Sequence, residues 1–382
     1  MLIAICTALG AFFLIAALHP FTTYPLSLLA IRRWHRVTLA SAQTPAAQSF
    51  AICFCAYNEE RVIEQKIDNL FALQRVVPDL EIYAYVDAAT DRTAELLRRH
   101  ADRIHVHVSP ERHGKTHGMN RLVSMAAASI VVFTDANVML DLDAIDHLRR
   151  YFADPAVGCV CGHLVYVNAG RSATAAVGSL FWRLEEWIKL RETETGSAVQ
   201  ADGSLFAIRR ALHRPPPDHL IDDMYVSMSI LCEGYRVVQA NDVVAYEQAV
   251  TSTREEFQRK IRIACQCFNI HRILWPRLRR LGPLDLYKYI SHKLLRWLSI
   301  YSFAAAAVAF EAALGLAGWG AVGAALAAAG ILALALGGVT GVFPFKQLWE
   351  IFTALLGAGI GVWRSLKGES FQTWSPASSI RK

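Results

Sequence analysis

Charge is missing from two long stretches of this sequence. Residues 1–31 and 312–345 contain no Lys, Arg, Asp or Glu, and either run exceeds the roughly 20 apolar residues that cross a bilayer. Charged residues are only 19% of the chain against 54% hydrophobic, too apolar a balance for a wholly soluble protein. The first run has neither a charged leader before it nor a small-residue cleavage site after it, which reads as an anchor and not a removable signal peptide. Zinc-type cysteine spacing is also lacking. The pairs Cys53/Cys55, Cys159/Cys161 and Cys265/Cys267 are Cys-x-Cys, whereas zinc sites want two to four intervening residues and further ligands nearby. Two of these pairs lie in strand-like apolar runs, as expected of buried free thiols in a reducing compartment. His105, His107, His113, His117 and His163 lack the helical spacing of a metal site and read as surface or cleft side chains. No repeat of roughly 20–50 residues occurs, which excludes a solenoid.

Two nucleotide motifs are incomplete. His113-Gly114-Lys115-Thr116 looks like the end of a phosphate loop, but Ser109 stands where its first glycine belongs. Gly318-Trp319-Gly320-Ala321-Val322-Gly323 spells a dinucleotide fingerprint. It lies inside an uncharged run with no acid about 20 residues on, so these are membrane-helix glycines. Gly337/Gly341 and Gly357/Gly361 have the spacing of close helix packing, or simply reflect a Gly/Ala-rich span.

What is present is distributed unevenly. Residues 50–253 carry a net charge of −7 and residues 254–296 one of +8. An acidic domain is thus followed by a basic collar beside the apolar C-terminal part, which fits anionic lipid headgroups better than nucleic acid. Arg32-Arg33-Trp34-His35-Arg36 stops the first apolar run on its C-terminal side, placing the N-terminus outside and the next domain in the cytosol. The expected organisation is an anchor over 1–36, a linker near 40–49, a cytosolic domain over 50–275, and an interfacial helix with membrane helices and a cytosolic tail over 276–382. Spans are expected near 2–31, 297–316 and 319–342. The stretch 346–363 contains Lys346 and Glu350 and reads as interfacial or re-entrant, with Arg364, Lys367, Arg381 and Lys382 keeping the tail inside. Leu286–Tyr301 reads as an amphipathic surface helix whose Lys288, Lys293 and Arg296 snorkel to headgroups.

Between Phe50 and Asn137 apolar strands alternate with amphipathic helices: strands at Phe50–Ala56, Leu80–Val86, Arg103–Val108 and from Ile130, with helices reaching Gln74, His100 and Ala128. This βαβ rhythm predicts a parallel, doubly wound α/β sheet. Beyond Asp141 the rhythm loosens into helices near 142–152, 183–191, 221–233 and 254–274 and strands at Val157–Tyr166, Gly203–Arg209 and Arg236–Val244. Ile130-Val131-Val132-Phe133 reads as a strand buried on both faces, ending in Thr134-Asp135-Ala136-Asn137. Ligands bind at that edge of open α/β sheets, and oxygen ligands so spaced can hold a divalent cation, although an Asp-Asn turn explains the tetrapeptide as well. Asp87 and Asp222-Asp223 also stand beside strands, which suggests one cleft with carboxylate enough for a metal and a base. The alternative for Asp222-Asp223 is a pair of carboxylates stabilising a helix N-terminus.

The ordered segments Ala56-Tyr57-Asn58-Glu59-Glu60, Val86-Asp87-Ala88-Ala89-Thr90-Asp91-Arg92-Thr93, Gly114-Lys115 through Asn120, Thr134-Asp135-Ala136-Asn137, Gly203 through Arg210, and Asp222-Asp223 resemble those of family-2 glycosyltransferases. The flanking apolar helices resemble the membrane-embedded branch with cellulose and hyaluronan synthases. The resemblance implies a GT-A (Rossmann-like) fold with a mixed, mostly parallel sheet and flanking transmembrane helices. It also implies an inverting, metal-dependent sugar transfer at the cytosolic face of the cell (inner) membrane. By position, Tyr57 and Asp87 would contact the base of a nucleotide-diphospho-sugar, expected to be UDP-linked, with Glu59 and Lys115 nearby. Asp135 would meet the ribose and diphosphate, and Asp135 with Asn137 would hold Mg²⁺ or Mn²⁺. Asn137 stands where the family has a second Asp, and a neutral amide is the weaker ligand. Asp223, beside Asp222, would be the general base, and Arg262 would reach the diphosphate. The Q-x-x-R-W motif of processive synthases has Arg259 at its Gln and Ile263 at its Trp. An isoleucine cannot stack on a sugar, which favours one or few additions to a lipid-linked or polysaccharide acceptor. A processive synthase that translocates its product, and a non-catalytic scaffold of a polysaccharide assembly complex, are the alternatives.

Overall fold

The computed structural model describes residues 1–38, 48–168, 173–249 and 252–373. The expected linker thus lies almost wholly outside the described residues, as do Arg381 and Lys382. Helices α1 (Leu2–Leu18) and α2 (Thr23–Trp34) precede the α/β domain. That domain comprises β1 (Phe50–Ala56), α3 (Ile63–Val76), β2 (Glu81–Asp87), α4 (Thr93–Arg98), β3 (His105–Ser109), α5 (Lys115–Met125), β4 (Ile130–Asp135), β5 (Met139–Leu140), α6 (Ala144–Tyr151), β6 (Val157–Tyr166), α7 (Ala173–Glu194), β7 (Leu205–Arg209), α8 (Asp222–Cys232), β8 (Arg236–Glu247) and α9 (Thr253–Leu278). The chain ends in α10 (Pro283–Tyr289), a π-helical turn over Ile290–Leu294, α11 (Leu295–Leu316), α12 (Gly320–Thr340) and α13 (Phe345–Leu366).

The eight strands form one mixed, mostly parallel sheet in the order β3-β2-β1-β4-β7-β6-β8-β5. β1 pairs in parallel with β2 and β4, β2 with β3, and β6 with β8, while β7 runs antiparallel between β4 and β6. β1 is apolar at every position, and β4 as far as Phe133, because helices cover both faces. Ile52 and Phe54 pack with Ile63, Ile67 and Leu70 of α3. Their alternates Ala51, Cys53 and Cys55 pack with Met119, Leu122 and Val123 of α5 and with Val226 and Ile230 of α8. The cysteines are free, and both strand pairs are buried, as the sequence suggested.

Two expectations need correction. The first apolar run does not cross as one segment over 2–31: the helix long and apolar enough to span ends at Phe21. The chain turns at His19-Pro20, and Tyr24 and Leu28 of α2 are buried against Ile188 of α7. Prolines within an apolar run mark such turns, since each lacks an N–H for the helix ladder. Nor do Lys288, Lys293 and Arg296 snorkel. Lys288 is fully buried and donates to the carbonyls of Glu192, Thr195 and Ser197 at 3.0–3.2 Å. Lys293 and Arg296 both pair with the buried Glu185 of α7. A charged patch beside an apolar run looks interfacial in sequence, and the acids that neutralise it lie about a hundred residues earlier.

Pro283–Leu316 and Gly320–Thr340 are the other segments long and apolar enough to cross a membrane. α13 is not among them; it packs along α9.

Candidate active site

Cys55, next to last in β1, lies directly opposite Asp135 of β4, and its thiol reaches the carbonyl of Lys115 at 3.4 Å. Around this buried sulfur stand Lys115, Asp222, Asp87 and Asp135, and with burial their carboxylates hold the thiol well above its ordinary pKa. Four of the sequence-predicted residues therefore share one cleft, although they come from four different elements. It lies at the carboxyl ends of β1, β2 and β4, where the parallel strand order places a ligand crevice.

At one end Asp87 is fully buried. Its carboxylate accepts from the backbone amides of His113 and Gly114 at 2.8 and 3.1 Å and from Arg112 Nε at 3.0 Å. The Arg112 guanidinium also lies 3.4 Å from the Tyr57 ring centroid. Tyr57 and Arg112, the latter neutralised by Asp87, thus form a flat wall against which a planar base can stack. Glu59 is buried beside it, and its backbone amide donates to Thr93 Oγ1 at 2.8 Å. Arg112 was not singled out by sequence, because nothing local distinguishes it from a surface arginine.

At the centre Lys115 pairs with Asp135 at 2.7 Å and lies 4.0 Å from Asp222 Oδ2. Burial works against its charge, but Asp135, Asp222 and Asp223 outweigh that and hold its pKa above the lysine range. The near-match to a phosphate loop is therefore a lysine opening α5 into an acidic cleft. Asn137 does not point alone at a metal position. Its Nδ2 donates to Glu247 Oε1 at 2.9 Å, and Ser204 Oγ donates to the other oxygen at 3.4 Å. Burial raises the Glu247 pKa, and Asp135 adds to the rise despite the opposing Arg259. Glu247 lies beyond the strand expected over Arg236–Val244, since β8 runs three residues further. No three His, Cys, Asp or Glu side chains among the described residues stand close enough to hold a metal ion by themselves. Asp135 and Glu247 nonetheless flank Asn137 with oxygen donors. One or two carboxylates plus substrate phosphates is the usual donor set of Mg²⁺, so the residues fit a hard divalent cation.

At the far wall Asp222 and Asp223 open α8, where the helix dipole favours negative charge. Dipole capping alone does not account for them. Asp222 Oδ2 is buried and has no hydrogen-bond partner among the described residues. Burial pushes both carboxyls above their ordinary values, and for Asp223 the neighbouring Asp222 adds to the rise while Lys115 opposes it. Asp223 Oδ1 accepts from the Met224 amide at 2.6 Å. A Cβ on Gly203 would stand 3.0 Å from Asp223 Oδ2 and 3.4 Å from Lys115 Nζ, so a side chain there would press on both groups. Arg262 of α9 donates to Gln266 at 3.4 Å. Burial and Arg259 lower its pKa while Asp135 and Asp223 act in the other direction, which places it on the same cleft. Ile263, at the family's Trp position, is packed among Met224, Cys267 and Phe268.

Residues 45–266 match the family described as glycosyltransferase like family 2. Among curated proteins, an O-antigen chain rhamnosyltransferase of Salmonella typhimurium is 26% identical over 155 residues, 38% of this chain and 49% of its own. An N-acetylglucosaminyltransferase of Rhizobium leguminosarum bv. viciae is 20% identical over 220 residues, 53% of this chain and 52% of its own. The chain spans about half the length of the curated relatives it matches. Among solved structures, a mannosyltransferase from Pyrobaculum calidifontis, in complex with GDP-Man and Mn²⁺, superposes with a TM-score of 0.71 at 25% identity, covering 97% of this chain and 100% of that one.

Proposed function

The chain belongs to the glycosyltransferase like family 2, and from that premise we propose that it is a membrane-anchored inverting transferase. It moves a sugar from a nucleotide-diphospho-sugar to a lipid-linked or polysaccharide acceptor at the cytosolic face. The observation that carries the reading is the pair Asp222-Asp223, the first buried and the second half-buried, facing Lys115 and Asp135 across one cleft. A carboxylate whose proton affinity is raised by burial is suited to general-base work near neutral pH. Asp223 takes the proton of the acceptor hydroxyl, and that oxygen bonds to the anomeric carbon from the face opposite the diphosphate. The bond from that carbon to the diphosphate oxygen breaks, and the diphosphate leaves with the electron pair. Tyr57, Asp87 and Arg112 seat the base, and Lys115 and Arg262 face the departing charge. Asp135, Asn137 and Glu247 would hold Mg²⁺ or Mn²⁺, which when bound supplies further charge stabilisation at the diphosphate.

The test is a screen of UDP- and GDP-sugars, both included because the solved mannosyltransferase carries GDP-Man. It reads released nucleoside diphosphate with Mg²⁺, with Mn²⁺ and with chelator. Metal-dependent release that Asp223→Asn lowers by about 10²-fold or more is expected; release indifferent to Asp223 would refute the assignment. Ile263 offers no aromatic surface to an acceptor chain, so product-length analysis should show one or few sugars added. A ladder of long products would favour the processive alternative. A scaffold would release nothing with any donor.

A further inference from the structure

Arg296 is only half used. Its Nη1 pairs with Glu185, but Nε and Nη2 are buried and have no hydrogen-bond partner among the described residues. These two atoms form one edge of the guanidinium, the edge that presents two parallel N–H donors. A buried fork without an acceptor is costly unless something bidentate and anionic fills it. The guanidinium is flanked by Phe21 and Phe181, with ring centroids 5.4 and 5.3 Å from its central carbon. Lys260 Nζ lies 5.3 Å from the same Phe181 ring. The local charge favours an anion, since the permanent cations Lys293 and Arg296 share the single carboxylate of Glu185, while His292 bridges it to Glu192.

The position in the fold says where that anion comes from. Gly10 of α1 lies against Phe310 of α11, while Phe21 meets Arg296. The two apolar helices are therefore antiparallel, with Phe21 and Arg296 together at the end nearer the transferase domain. This is the level at which lipid phosphates sit when Leu2–Phe21 and Pro283–Leu316 cross a bilayer. On the protein side, Phe181 stands between Arg296 and α9, the helix whose Arg262 faces the catalytic cleft. Phe181 is itself 38% exposed, so the ring that flanks the fork is reachable from outside.

We propose that Arg296, between Phe21 and Phe181, binds the phosphate of a membrane lipid at the mouth of the transferase cleft and thereby seats a lipid-phosphate acceptor. The identity of the lipid as acceptor rests on the proposed function; the phosphate site does not. The experiment uses the full chain in detergent and follows lipid adducts by native mass spectrometry. The probes are a long-chain polyprenyl monophosphate, the corresponding alcohol and phosphatidylglycerol. The monophosphate should bind about tenfold or more tighter than the alcohol, and Arg296→Lys, which keeps the charge but loses the fork, should remove most of that preference. If phosphatidylglycerol does not displace the polyprenyl phosphate, the acceptor assignment stands. If it competes equally, the phosphate site stands but its occupant is an ordinary headgroup and the acceptor assignment falls. Equal binding of phosphate and alcohol, or an Arg296→Lys protein that binds like the parent, would overturn the proposal. Thermal stabilisation by UDP or GDP with Mn²⁺ is measured on both proteins. It shows that the variant is folded, and its absence in both would count against the transferase reading independently of the lipid result.

Discussion

Asp223 faces two opposing demands. To act as a base it must be ionised, yet burial and then the adjacent Asp222 disfavour its charge, with Asp202 adding and Lys115 opposing. The rate should therefore fall on the acid side through a pKa above the usual carboxylate range, read as kcat/KM against pH with metal saturating. Asp222→Asn removes the second cause of the rise and should move that limb toward lower pH; an unmoved limb would mean that another group titrates. The same shift has a stability consequence. A carboxyl whose folded pKa exceeds its unfolded value contributes stability at low pH that is lost as pH rises through the folded pKa. At neutral pH Asp223→Asn should accordingly raise the thermal unfolding midpoint while abolishing transfer, the usual opposition between a strained functional group and the fold that holds it. A midpoint that falls would show that the Asp223 carboxylate is well solvated by its neighbours.

At the level of elements, two close approaches decide how the site is held. Lys66 of α3 is completely buried beneath the segment that follows Asp135, donating to the carbonyl of Val138 at 2.5 Å. Burial lowers its pKa to about 7 from 10.5. A lysine depressed in this way destabilises the fold while charged, and the penalty is relieved as pH climbs from about 7 toward its unfolded value. The unfolding midpoint of the parent minus that of Lys66→Met should therefore rise between about pH 7 and 10, and a flat difference would rule the shift out. The second approach is α13 on α9: a Cβ on Gly361 would stand 2.5 Å from the Ile261 carbonyl oxygen, 2.6 Å from Ala264 Cβ and 2.8 Å from the Cys265 amide. Backbone cannot yield as a side chain can, so Gly361→Ala should cost about 1–3 kcal/mol and loosen α13, read as a lower midpoint and faster proteolysis after Leu366. The sequence displayed the small-residue spacing but not its partner, which proves to be a helix of the transferase domain and not a second membrane span. The same asymmetry runs through the site. Strands β1 to β4 and the ends that carry Asp87 and Asp135 were legible, because continuous apolar runs and their terminal acids are local signals. Arg112 and Glu247 were not, since each matters only through a partner 25 or 110 residues away, Asp87 or Asn137.

For the whole molecule the decisive connections join the apolar helices to the transferase domain. Tyr24 of α2 and His292 of the π-helical turn both hydrogen-bond the buried Glu192 of α7, whose second oxygen accepts from the Val199 amide at 3.1 Å. Four residues before Glu192, Ile188 packs on α2, and Lys189 pairs with Asp202, the residue preceding the Gly203 that touches Asp223. The membrane part is thus clamped directly to the wall of the cleft. A second connection bears on the proposed topology. Beyond α13 the chain returns over α9, where Gln266 and Asn269 hold the carbonyls of Phe371 and Glu369 at 2.7 and 2.9 Å. It then reaches the cleft loop itself, with Gln372 Nε2 donating to the His113 carbonyl at 3.1 Å. Residues 368–373 must therefore lie on the same side of the membrane as the transferase domain. On the proposed crossings by α1, α11 and α12, with α13 lying on α9, the N-terminus would be on the opposite side. The expected outcome is concrete. In a protein with Cys6 and Cys232, the two half-buried thiols, changed to serine, a Ser370→Cys thiol should react with an impermeant reagent only in inside-out vesicles. A thiol introduced at Leu2→Cys, where the parent side chain is exposed, should react only in right-side-out ones. Labelling of both from one side would require an even number of crossings, and either α1 or α12 would then have to leave the bilayer.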